Sequence, residues 1–69
     1  MKELDLHGLG HDYAKRVIIS WVKSNPPPCK IITGNSLKME KIVKESLGTK
    51  YNCYYESEKN LGALIVTKR

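Results

Sequence analysis

The sequence predicts an α/β fold, a two-layer βαβαββ sandwich in which a mixed four-stranded sheet carries both helices on one face. Three observations carry this expectation. Two stretches repeat apolar residues at helical spacing, four short runs are β-branched, aromatic or alternating in polarity, and Gly or Pro falls where each element must end.

Residues 2–7 alternate and read as the first strand, with Leu4 and Leu6 on one face and Asp5 and His7 on the other. Gly8-Leu9-Gly10 turns the chain. Ala14, Val17, Ile18, Trp21 and Val22 recur at i, i+3, i+4, i+7 and i+8, so a helix is expected from about His11 to Ser24, with Trp21 on its core face. Asn25-Pro26-Pro27-Pro28 stops it, because proline lacks the amide hydrogen and drives the preceding residue out of the helical region. Cys29-Lys30-Ile31-Ile32-Thr33 is β-branched and bounded by Gly34, which makes it a central strand. Gly34-Asn35-Ser36 is a turn ending in a capping residue. Met39, Ile42, Val43, Ser46 and Leu47 again follow helical spacing, and Gly48 ends a second helix over about Leu37 to Leu47. Tyr51 to Glu56 and Ala63 to Thr67 are the last two strands, joined as a hairpin by a polar turn containing Asn60 and Gly62. Two crossovers set their helices on the same side of a sheet only if successive strands are laid down in one direction. The other sheet face then has no partner within the chain, and Asp5 and His7 are expected on it.

Sixty-nine residues form one domain, 1–69. No apolar run approaches the length of a membrane span, and the acidic, interrupted N-terminus does not resemble an export signal, so a cytoplasmic protein without membrane contact is expected. The net charge of +5 favours a polyanionic partner, although it is also compatible with an ordinary soluble surface. Cys29 and Cys53 lie in separate strand-like runs with no Cys-x-x-Cys pair, which indicates reduced, buried thiols and no zinc site; neighbouring strands leave a disulfide geometrically open. His11 follows His7 by four positions, but Gly8 and Gly10 break any helix that would pair them on a metal, and no metal or cofactor is expected.

Asp5 and His7 share a strand face with Cα atoms roughly 6 to 7 Å apart, so one phosphodiester can touch both. Two readings fit. His7 acts as general acid or base with Asp5 holding its tautomer or activating a nucleophile, or the two bind substrate and the adjacent loop without chemistry. Thr33-Gly34-Asn35-Ser36 joins a strand to a helix, where free amides and the helix dipole favour an anion, Gly34 permits close approach and Lys38 and Lys41 add charge. An ordinary capped helix with solvated lysines and i, i+4 pairs Glu40–Lys44 and Lys41–Glu45 fits the same residues. Tyr51, Tyr54 and Tyr55 alternate over both faces, so at least one ring faces away from the helices.

With its opening LDLHG, its strand exit ITGNS and its closing NLGALIVTK on this element order, the chain resembles the Smr (small MutS-related) domain family over essentially all of its length. The resemblance implies a βαβαββ fold similar to the C-terminal domain of translation initiation factor three. It also implies binding of RNA or of branched or single-stranded DNA, with endonuclease activity in several members. The family's Asp-Leu-His motif corresponds to Asp5-Leu6-His7. Its second motif, His-Gly-x-Gly or Thr-Gly-x-Gly, corresponds to Thr33 and Gly34 and departs at Ser36, where the Gly-, Asn- and Ser-rich segment that normally follows is cut short.

The expected protein is thus an Smr-like nucleic-acid-binding domain, monomeric, that cleaves phosphodiesters through Asp5 and His7. Gly8, Thr33, Gly34, Asn35, Ser36, Lys38 and Lys41 would hold the phosphates. On RNA the ribose 2′-OH is an internal nucleophile, so no metal is required; DNA needs an activated water. A non-catalytic nucleic-acid-binding module of the same fold and a protein-interaction domain using its sheet edge are the alternatives.

Overall fold

The computed structural model describes residues 1–69 and is α/β, with four strands in one mixed sheet and two α-helices. Strand β1 (Lys2–Asp5) is shorter than its alternation predicts, because a side chain ends it. The Asp5 Oδ1 accepts the His7 amide at 2.8 Å, so the chain turns at His7-Gly8 although the Leu6 amide still reaches the Ile32 carbonyl at 2.9 Å. Helix α1 (His11–Ser24) has the predicted bounds. At its C-terminus both the backbone and the side-chain amide of Asn25 donate to the Trp21 carbonyl, and the prolines follow. Strand β2 (Cys29–Ile32) leads through residues 33–36 to helix α2 (Leu37–Leu47), where the Ser36 hydroxyl accepts the Met39 amide at 3.1 Å. Gly48, with φ +68°, closes α2 and opens a single 3₁₀ turn over Gly48–Lys50.

The hairpin differs from the sequence reading. Strands β3 (Tyr51–Ser57) and β4 (Asn60–Lys68) pair out to Ser57 and Asn60, so the tip is Glu58-Lys59 and both Asn60 and Gly62 belong to the strand. Gly62 is in the strand because its missing side chain leaves room for Asn35: a Cβ there would stand 3.2 Å from the Asn35 amide nitrogen.

The sheet order is β1-β2-β4-β3, with β2 parallel to β1 and β4 antiparallel to both its neighbours. Strands β1, β2 and β3 therefore run the same way, and both crossovers step in the same direction across the sheet, which meets the condition for helices on a common side. One apolar cluster joins Ala14, Ile18 and Val22 of α1, Met39, Val43 and Leu47 of α2, and Leu6, Cys29, Ile31, Leu64 and Val66 from the strands. Trp21 packs against this cluster. The register puts Leu4, Ile31, Leu64 and Tyr55 in one row on the cluster side, and Glu3, Lys30, Ile65 and Tyr54 in the next row on the opposite side.

Buried Glu40 of α2 would be costly without partners. The Tyr55 hydroxyl donates to both of its carboxylate oxygens, at 2.8 and 2.9 Å, and the Lys44 ammonium lies 3.2 Å away. That hydrogen bond to Glu40 pushes the Tyr55 phenol up from its ordinary range. The Lys41–Glu45 pair does not form. Cys29 and Cys53 are free thiols. Both align with Val66 of the intervening β4, which sets their Cα atoms about 9 to 10 Å apart, beyond disulfide reach. Burial is the first cause that pushes both thiols up; Cys53 adds to it at Cys29, and Lys44 opposes it at Cys53. No helix is long and apolar enough to cross a membrane.

Candidate nucleic-acid site

Parallel pairing of β1 and β2 brings their C-terminal ends side by side, so the two motifs read from the sequence meet there. A Cβ added to Gly34 would stand 3.1 Å from the Cδ2 of His7 and 3.8 Å from its Cβ, so the His7 side chain takes the space that a side chain at position 34 would need. Gly34 (φ +68°) and Asn35 (φ +64°) both adopt the left-handed conformation, and together they swing the chain from β2 into α2. The imidazole is exposed and makes no hydrogen bond within the protein. Asp5 does not orient that ring. Its carboxylate holds the His7 backbone instead, fixing the turn that presents the side chain.

The β2–α2 turn is built on β4. The amides of Thr33 and Gly34 both donate to the Gly62 carbonyl, at 2.7 and 3.0 Å, so neither is free for a ligand. Ser36 caps α2 through its hydroxyl. The first-turn amides of Leu37 and Lys38 have no partner in the chain, and they lie at the positive end of an 11-residue helix. Thr33 is 4% exposed and its Oγ1 has no hydrogen-bond partner, a buried hydroxyl beside the same turn. Lys38 and Lys41 are exposed and carry no ion pair, and Gly8, at φ +79°, has open space around it.

Two contributors were not singled out from the sequence. Gly62 supplies the carbonyl that anchors the turn, and the Asn60 Oδ1 accepts the Gly62 amide at 3.1 Å. The Asn60 side-chain amide also donates to Glu56 at 3.0 Å; with Lys30, whose hydrogen bond is the larger effect, it holds the Glu56 carboxyl below its ordinary range. The signal for Gly62 was a glycine inside an alternating apolar run, which marks close approach by another backbone.

Gly34→Ala is expected to lose about 1 to 2 kcal/mol from the left-handed conformation alone, and the added methyl must push the imidazole away. Urea unfolding measures the first effect. A change in the His7 ring resonances against unchanged core methyl resonances measures the second.

The family models, the curated proteins and the solved structures compared with this chain contain no match to it.

Proposed function

We propose that this chain is a two-layer, Smr-like domain, similar to the C-terminal domain of translation initiation factor three, that binds nucleic acid at the C-terminal ends of β1 and β2 and cleaves RNA there. The closeness of the His7 imidazole to Gly34 supports this reading most, because it puts an acid–base group against the turn that leads into α2. A phosphate seated on the amides of Leu37 and Lys38, with Lys38 and Lys41 adding charge, would bring the adjacent ribose to His7. The imidazole then takes the 2′-OH proton as that oxygen attacks phosphorus, or gives a proton to the departing 5′ oxygen. Asp5 keeps the His7 turn in place.

One observation favours the binding module without chemistry: the Asp5 carboxylate is engaged by backbone, so no second acid–base group is held against the imidazole. Incubation with labelled single-stranded RNA, single-stranded DNA and branched DNA, with and without chelator, separates the two. Metal-independent cutting of RNA alone supports the proposal, and retention of every substrate intact supports the module.

Lys38→Ala with Lys41→Ala is expected to flatten the salt dependence of single-strand binding. Each neutralised phosphate contributes a log–log slope of about −0.7, so losing two contacts reduces the slope by roughly 1.4. An unchanged slope returns both lysines to solvent, and binding without salt dependence points to a protein partner.

A further inference from the structure

Helix α1 carries a groove of about 540 Å³ that the nucleic-acid site leaves unused, lined by Tyr13, Arg16, Val17, Ser20, Trp21 and Ser24. These positions recur at i, i+3, i+4, i+7, i+8 and i+11, one stripe along about three turns of the helix. Asp12, the one acid of α1, lines a different cleft, toward Glu45 of α2, so no carboxylate enters the groove. Its one charge is Arg16, which is exposed and makes neither an ion pair nor a side-chain hydrogen bond. Tyr13 is 59% exposed. Trp21 is half-buried against the apolar cluster, and its indole N–H has no partner in the chain. Thr33 Oγ1 is the only buried side-chain polar atom left without a partner, so the Trp21 N–H is open to solvent.

We propose that this groove is a single-strand subsite, in which bases stack on Tyr13 and Trp21 and Arg16 holds the phosphate between them. Resting on the nucleic-acid reading above, it gives the strand a path away from the His7 turn. Helix α1 starts at that turn. The Leu9 amide folds back onto the Leu6 carbonyl at 2.9 Å, the Tyr13 amide donates to the Gly10 carbonyl at 3.1 Å, and neither Gly8 nor Gly10 has anything within 4 Å of where a Cβ would stand. A strand can cross this open saddle from His7 to Tyr13. From Tyr13 to Trp21 the helix rises about 12 Å, with Arg16 between them. Aromatic faces take any base, and a guanidinium takes a phosphate through two parallel hydrogen bonds. The groove falls within the roughly 300 to 1,000 Å³ of sites that hold a drug-sized ligand, and a nucleotide is of that size. A second copy docked groove to groove would bring two guanidinium groups and no carboxylate. An apolar partner helix would bury Arg16 unpaired.

Trp21 is the only tryptophan in the chain, so its fluorescence reports on the groove directly. The test titrates ¹⁵N-labelled protein with a 2′-O-methyl oligouridine of about eight nucleotides, with oligoglutamate as the control for bare charge attraction. The expected result is saturable quenching of Trp21 and shifts at the Tyr13 and Arg16 amides with the oligonucleotide alone. Tyr13→Ala should weaken its binding roughly 5- to 100-fold, the worth of one stacked base, and Tyr13→Phe, which keeps the ring, should retain it. Arg16→Ala should reduce the log–log salt slope by about 0.7. Both side chains are exposed, and circular dichroism checks that the variants stay folded. An unquenched Trp21 at saturation, unchanged affinity in Tyr13→Ala, an unchanged slope in Arg16→Ala, or equal quenching by oligoglutamate, which would assign the groove to an acidic peptide, would each overturn the proposal. Binding at the β1–β2 junction is read separately at His7 and Lys38. Shifts there with Trp21 silent remove the groove and keep the junction, whereas quenching with His7 and Lys38 unmoved removes the junction and supports the groove.

Discussion

RNA cleavage by His7→Ala is expected to fall about 10²- to 10⁴-fold, the usual loss when a positioned acid–base group is removed, while the fold and most of the binding survive. The structure explains why the two effects separate. The His7 side chain is exposed and makes no hydrogen bond within the protein, whereas the backbone amide that Asp5 holds is present in Ala as well. Asp5→Asn keeps an oxygen that can accept the same amide, so it is expected to slow cleavage with a smaller loss of stability than Asp5→Ala. Rates must be compared at equal folded fraction, measured by circular dichroism on the same samples. Cleavage by His7→Ala at the wild-type rate would remove His7 from the chemistry and assign the activity to another residue or to a contaminant, in which second case the binding module takes its place.

Ile18→Ala is expected to destabilise the protein by about 2 to 5 kcal/mol. Ile18 is fully buried at the centre of α1, between Ala14 and Val22 and within the cluster shared by both helices and the sheet. Small domains hold only about 5 to 15 kcal/mol in total, so this one truncation removes a large share of the stability. Urea unfolding followed at Trp21 measures it directly. A loss below about 1 kcal/mol would mean that the cluster rearranges to fill the space.

The helices were legible because their apolar spacing and their stops agree. Ala14 to Val22 ends at a proline run and Met39 to Leu47 ends at Gly48, and both helices have the bounds so predicted. The strand ends were less legible because side chains set them. A single Asp5–His7 hydrogen bond shortens β1, and Ser57 extends the hairpin by accepting the Asn60 amide. Gly62 resembled a turn residue by type, and only the approach of Asn35 explains it as a strand residue. The relation of the two cysteines depended on strand order, which inserts β4 between β2 and β3 and separates thiols that neighbouring strands could have joined.

The candidate site was legible in composition and not in contact. Asp5, His7 and the Thr33–Ser36 turn stand out as residue types at strand ends. That the His7 side chain leaves no room for a side chain at Gly34 depends on the parallel register of β1 and β2, and that the Thr33 and Gly34 amides are occupied depends on a carbonyl far along the chain. The amides without a partner in the chain therefore lie beyond Gly34, with Leu37 and Lys38 among them at the start of α2. The Tyr55–Glu40 pair was hidden for a similar reason, because only the docking of α2 on β3 brings a phenol to a buried carboxylate.

Nucleic acid is proposed to bind where β1, β2 and the start of α2 meet. The most direct test of this is an ¹⁵N NMR titration with a short single-stranded 2′-O-methyl RNA, which lacks the 2′-OH nucleophile and so stays intact during the measurement. The largest shifts are expected on the amides of His7, Leu37 and Lys38, and they should weaken as salt is raised. Shifts confined to residues away from this junction, with His7, Leu37 and Lys38 unmoved at saturation, would contradict it.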